Sequence, residues 1–255
     1  MERDFVMKIS KFLPLRFKIF LLGLLPPKLR AMKEIISKGG VTFSQNGEDL
    51  IIRQIFNSLN IKTPSYLDIG AHDPFYLSNT AIFYQNGSQG VNIEPNPILC
   101  KKISKYRKGD MNLSIGVGAS NEPLTFYVLP YPTNSTFSKQ EADFFCEQWK
   151  LKIVKEISVE VRTLKFIIEN YCGGVFPDFL SLDAEGLDIV ILSELKELSS
   201  LPKVICTELN DSTLETIGTV KQGREILEPL GYTLVMKTHD NAIFVLKDLW
   251  QAAMN

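Results

Sequence analysis

The chain has 255 residues, 45% hydrophobic and 22% charged, which supports a packed core and excludes general disorder. A formal net charge of −1 gives no support to a nucleic-acid binder. Four cysteines (Cys100, Cys146, Cys172 and Cys206) form no CxxC pair, which argues against a zinc site and fits reduced thiols in a cytoplasmic compartment.

The charge is uneven. Residues 1–38 carry nine Lys/Arg and three Asp/Glu, a net of +6, and the remainder has a net of −7. In this arm the longest uncharged stretch is "IFLLGLLPP", far short of the ~20 residues of a membrane span. Two readings stay open. Residues 1–38 could lie as a basic amphipathic segment on the inner face of an anionic membrane. They could instead pack as a helix on the body or on a second copy in a homo-oligomer. "SKGG", Ser37 to Gly40, reads as a linker, so the expected division is an arm over 1–40 and a globular domain over 41–255.

"FSQNGEDLIIRQIFNSLN" predicts a helix capped by Asn46, with Glu48 and Asp49 where the helix dipole favours acids. Ile52, Ile55, Phe56 and Leu59 give it a buried stripe. Strands and helices then alternate. "SYLDIG" is a strand, "SNTAIFYQNG" a short helix with Ser78 as cap, and "GVNIEP" a second strand. "NPILCKKISKYR" is a helix with Asn96 at the cap and Pro97 in the first position. "MNLSIGVGA" is a third strand, followed by a short extended "LTFYVL".

The stretch Pro130 to Ile153 reads as an inserted loop plus helix. "VRTLKFIIENYCGG" is a helix, "DFLSLDAEG" a strand, "LDIVILSELKEL" its helix and "KVICTELN" a fifth strand. "TLETIGTVKQGREILEPLG" is mainly helix, and "YTLVMKTHDNAIFVLK" is a closing antiparallel hairpin. The expected fold class is α/β: a Rossmann-like, mostly parallel seven-stranded sheet with helices on both faces.

Open parallel sheets bind ligands beyond the carboxyl ends of their strands. There the chain places Asp68, Gly70, His72 and Asp73, then Glu94 and Asn96, then Asp183 and Glu185, then Glu208, with His239 in the hairpin turn. The first loop lacks the GxGxxG of a dinucleotide site, and an acid beside a pyrophosphate would repel it. A cationic nucleoside such as S-adenosylmethionine has no phosphate to repel. Glu94, at the end of the second strand, can accept hydrogen bonds from ribose hydroxyls.

The pieces "FSQNGEDL", "YLDIGAHDP", "SNT", "GVNIEPNP", "RKGDMN", "NSTF", "FLSLDAEGLDIVIL" and "VICTELN" occur in the order of a known family. The sequence resembles the FkbM-type family of S-adenosylmethionine-dependent methyltransferases from about Phe43 onward. The resemblance implies a class I methyltransferase fold and methyl transfer, most often to oxygen and frequently on a small-molecule or glycan acceptor. It implies that Asp68, Gly70 and Glu94 belong to the cofactor site, with Asp110 near the adenine. It matches Asp183, Glu185 and Gly186 to the family's acidic signature. Many members carry Asn or Gly near His72 and Asp73.

Removing the acceptor proton requires a base. His239 is a candidate because an unperturbed imidazole titrates near pH 6.5, and Asp183 is the alternative. Asp183, Glu185 and Glu208 cluster carboxylates that a lysine, the sulfonium or a divalent Mg²⁺ or Mn²⁺ could balance. Ser135 and Thr136, in "PTNSTF", can hydrogen-bond a hydroxylated substrate, as can Glu185 and Glu208. A second class stays open: a catalytically silent module that binds a nucleoside or glycan on the same fold.

Overall fold

In the computed structural model, which describes residues 41–184, 186–209 and 219–254, the first element is helix α1 (Glu48–Ser58). It buries Ile52, Ile55 and Phe56. Its N-cap is Gly47, not the expected Asn46. The chain enters the helix at φ 87°, a left-handed conformation that glycine adopts at no steric cost. Strand β1 (Tyr66–Ile69) and helix α2 (Ala81–Gln85) follow, and the Ser78 hydroxyl accepts from the Ala81 N–H. Strand β2 (Gly90–Ile93) leads into α3 (Pro97–Tyr106), where Asn96 Oδ1 accepts from the Ile98 N–H at 3.0 Å.

The expected third strand divides. β3 (Met111–Leu113) stays beside β2, while β4 (Gly116–Val117) departs from the main sheet. Strand β5 (Leu124–Val128), a 3₁₀ turn (Pro132–Asn134) and helix α4 (Lys139–Trp149) confirm the inserted loop and helix. β6 (Lys155–Val159) pairs antiparallel with β5. β7 (Val161–Arg162) pairs in parallel with β4. The helix expected from Val161 therefore begins later, as α5 (Leu164–Tyr171), with Thr163 accepting from the Phe166 N–H. Gly116 permits this side sheet: a Cβ there would sit 2.6 Å from the Phe137 ring.

The rest follows the expected order: β8 (Phe179–Leu182), α6 (Asp188–Glu194), β9 (Val204–Glu208), α7 (Thr219–Leu227), β10 (Tyr232–Lys237) and β11 (Asn241–Leu246). A last helix, α8 (Lys247–Met254), was not expected; eight residues are too few to show a helical period.

The main sheet runs β10-β11-β9-β8-β1-β2-β3, and β11 alone is antiparallel to its neighbours. Alternation along the strands feeds two cores. Leu67, Ile69, Leu180 and Leu182 meet Ile167 of α5 and Ile191 of α6 on one face. Tyr66, Phe179 and Val204 meet Ile52, Phe56 and Phe83 on the other. Phe56, Phe83 and Phe179 touch edge to face at 5.7–6.1 Å, a favourable aromatic geometry. Because both faces are covered, central strands read as nearly continuous apolar runs. The arm and its linker lie outside the described residues. Among the described residues no helix is long and apolar enough to cross a membrane, and all four cysteines are free.

Candidate active site

At the carboxyl edge a cavity of about 410 Å³ opens between the ends of β1, β2, β8 and β9, the β10–β11 turn and the inserted loop. That volume lies in the range of small-ligand sites. Gly70 forms one wall, at φ 80°, and a Cβ on it would lie 1.8 Å from the Asp183 carbonyl oxygen. Glycine is thus required by both conformation and closeness. His72 follows at φ 50°, half-buried, with burial holding its imidazole below the ordinary pKa.

Glu94 follows directly on β2 and is only 5% exposed. Its Oε2 accepts from the His72 N–H at 2.9 Å and its Oε1 from the Asn96 N–H at 2.8 Å. Two backbone bonds fix the carboxylate and leave one lone-pair direction on each oxygen. Burial, with the negative charges of Asp183 and Asp68, pushes its pKa up to about 7.

The other end of the cavity is acidic. Asp183 and Glu208 line it together, close enough for the charge of one to act on the other. Burial and the adjoining Asp183 charge raise the Glu208 carboxyl well above the usual range, so the pair holds a proton near neutrality. Asp188 stands behind them, buried, and its carboxylate accepts weakly from the Ala184 N–H at 3.4 Å. Burial, with Asp183 adding, raises Asp188 to about 7. Gln45 and Asp240 complete this end, with Gln45 Nε2 donating to Asp240 Oδ2 at 3.0 Å. Among the described residues no Lys or Arg lines the cavity.

Of the residues expected from the sequence, Gly70, His72, Glu94, Asp183, Glu208 and Ser135 line this one cavity. The Ser135 hydroxyl accepts from the Leu129 N–H at 3.1 Å and keeps its hydrogen to donate. Five others are placed elsewhere. Asp68 shares the Tyr66 face of β1, where it takes the Thr80 hydroxyl and lies 3.9 Å from the buried Arg107. Burial raises its carboxyl, opposed by that guanidinium. Asn96 spends its side chain capping α3.

Asp110 sits at the amino edge of the sheet, where it accepts from Gly90 N–H at 3.0 Å, Arg107 Nε at 2.8 Å and the Tyr66 hydroxyl at 2.7 Å. The length of β1, about 13 Å at ~3.3 Å per residue, separates that edge from the cavity. It is a structural anchor, not an adenine contact. Thr136 is fully buried, its hydroxyl bonded to Glu141 Oε2 at 2.7 Å. His239 stands out in solvent with a side chain 77% exposed, paired to Asp240 Oδ1 at 2.6 Å; Asp240, not His239, reaches the cavity wall.

Glu185 lies outside the described residues. Among the described residues, no group of three His, Cys, Asp or Glu side chains is arranged to hold a metal ion. Gln45, Asn79, Asp188, Asp240 and Phe145 were missed. "FSQNGED" and "SNT" contain two of them, but a motif match assigns no role until the strand ends converge.

The model of the methyltransferase FkbM domain matches residues 68–234. Among curated proteins none matches the chain. Solved structures similar to it include a putative caffeoyl-CoA O-methyltransferase from Staphylococcus aureus, at 14% identity and TM-score 0.43, covering 91% of this chain and 98% of that one. A second is an O-methyltransferase from Bacillus cereus in complex with SAH, at 16% identity and TM-score 0.41, covering 89% and 96%. A third is a TehB-like SAM-dependent methyltransferase from Corynebacterium glutamicum, at 9% identity and TM-score 0.40, covering 86% and 96%. With the family model spanning well over half of its length, the chain belongs to the FkbM methyltransferase family, a family of S-adenosylmethionine-dependent methyltransferases.

Proposed function

We propose that the protein transfers a methyl group from S-adenosylmethionine to a hydroxyl of a sugar or glycan-related acceptor. The observation that carries this reading is the lining of one cavity: a backbone-fixed acid at one end, a proton-holding acid pair at the other and, among the described residues, no Lys or Arg between them. An anionic phosphate would find nothing to neutralise it. A cationic donor and a neutral, hydroxylated acceptor are both favoured there.

In this arrangement Glu94 accepts from the two ribose hydroxyls through its remaining lone pairs. Gly70 lets the donor approach the backbone, and the neutral His72 avoids repelling it. When bound, S-adenosylmethionine supplies a methyl carbon made electrophilic by its sulfonium. With Glu208 holding the shared proton, the ionised Asp183 carboxylate takes the acceptor's proton as the acceptor oxygen bonds to that carbon and the carbon–sulfur bond breaks. Ser135 donates to the acceptor and helps to fix its orientation.

Methyl transfer from labelled donor to a panel of sugars tests the reading. Asp183→Asn should lower kcat about 100-fold or more, with donor affinity changed less than about threefold. Donor binding with no transfer to any hydroxyl would overturn it and favour a silent binding module.

A further inference from the structure

The inserted segment carries a second concave site, beside the first. Tyr131, Thr133, Asn134, Trp149 and Leu151 line an open cleft. Thr133 and Asn134 belong to the walls of both cavities, so the two are adjacent. A ladder of rings joins them as well. Phe145 lines the main cavity and stacks on Trp149 at 5.2 Å and 25°. Trp149 in turn meets Tyr131 at 6.4 Å and 87°, so two rings make a corner. Tyr131 is 57% exposed and Trp149 45%, so both rings offer aromatic surface to the cleft.

The chemistry of this cleft is narrow. It has aromatic faces and, among the described residues, no charged lining residue. It also has unused donors. Among the described residues the Tyr131 hydroxyl, the Trp149 indole N–H and the Asn134 amide N–H₂ have no protein partner; Asn134 uses its Oδ1 to accept from Thr133 Oγ1 at 3.1 Å. Apolar faces next to neutral donors suit a ligand that is itself neutral, with C–H groups on its faces and hydroxyls on its rim. A pyranose ring fits that description: its axial C–H groups pack on the negative face of an aromatic ring, and its hydroxyls accept from the donors around it. An anionic ligand would lack a counter-charge.

We propose that this cleft is a second carbohydrate subsite, holding the sugar residue adjacent to the one that is methylated. The inference rests on the glycan-acceptor reading above. It makes the preferred acceptor an oligosaccharide, and Trp149 and Tyr131 the residues that set this preference.

The chain has two tryptophans, so Trp250→Phe leaves Trp149 as the only indole reporter. This variant, saturated with S-adenosylhomocysteine, is titrated with gluco-, manno- and rhamno-oligosaccharides of one to four residues. The same sugars are tested as acceptors with labelled donor, in wild type, Trp149→Ala, Trp149→Phe and Tyr131→Ala. The expected result is a fluorescence change that saturates at least about tenfold lower in concentration for a dimer than for a monomer. Trp149→Ala and Tyr131→Ala should remove that advantage in kcat/KM and leave monosaccharide turnover and donor affinity unchanged. Trp149→Phe should keep most of it, which separates ring stacking from misfolding. Transfer to monosaccharides without a chain-length gain, or an equal loss on all acceptors, overturns the subsite and leaves the glycan reading standing. No transfer to any sugar and no fluorescence response overturns both.

Discussion

Glu94 spends one lone pair of each carboxylate oxygen on a backbone N–H, from His72 and from Asn96. A glutamine in its place has one accepting atom, so one of those buried donors loses its partner. An unsatisfied buried donor costs about 1–3 kcal/mol. Glu94→Gln should therefore lower the thermal midpoint and weaken S-adenosylmethionine at least about tenfold in calorimetric titration. Unchanged donor affinity would place the nucleoside elsewhere. The acid itself was legible in the sequence, since it ends an apolar strand and precedes a helix cap. Its partner residues were less so. Asp68 and Asp110 look equally suited to a cofactor on paper, yet strand alternation turns Asp68 toward Arg107, and chain direction puts Asp110 at the wrong edge.

At the scale of elements, the first residue of α1 and the loop before it clamp the β10–β11 turn. Buried Glu48 accepts from Thr238 Oγ1 at 2.6 Å, from Asn241 Nδ2 at 3.3 Å and from the Asn46 N–H at 2.8 Å. Asn46 Nδ2 donates to Asp240 Oδ2 at 3.2 Å, beside Gln45. This clamp fixes Asp240 and Asn241 at the acidic end of the cavity. Glu48→Ala should speed amide exchange across residues 237–242 and raise the acceptor KM severalfold, with donor affinity held. Exchange at wild-type rates would show that the turn is ordered without the clamp. Helices with an apolar stripe, such as α1 and α3, were readable because their period is local. Strands β6 and β7 were not, because their partners β5 and β4 lie tens of residues away.

Across the whole molecule, stability should depend on pH in an unusual direction. Glu94 and Asp188 are buried acids whose folded pKa values are raised to about 7. Between the ordinary carboxyl range and pH 7 the folded state binds more protons than the unfolded one. Stability therefore falls as pH rises through that window, by up to about 1.4 kcal/mol per pH unit for each group. Asp73 and Asp178, whose carboxyls are lowered despite burial by bonds to Lys102 and Lys203, act below the window and lose their contribution as pH falls. Denaturant melts should show greatest stability near pH 5, and Asp188→Asn should flatten the decline toward pH 7. A rise in stability from pH 5 to 7 would mean that these acids are ionised in the folded protein.

The order of strands and helices, the parallel core, the closing hairpin and Glu94 at a strand end all followed from the chain alone. Each depends on apolar period, cap chemistry or chain order, which are local or one-dimensional properties. The departure of β4 from the main sheet, the exclusion of His239 and the ring ladder from Phe145 to Tyr131 depended on the folded arrangement. They arise from side-chain direction and from contacts between segments far apart in sequence, and no window of residues records either.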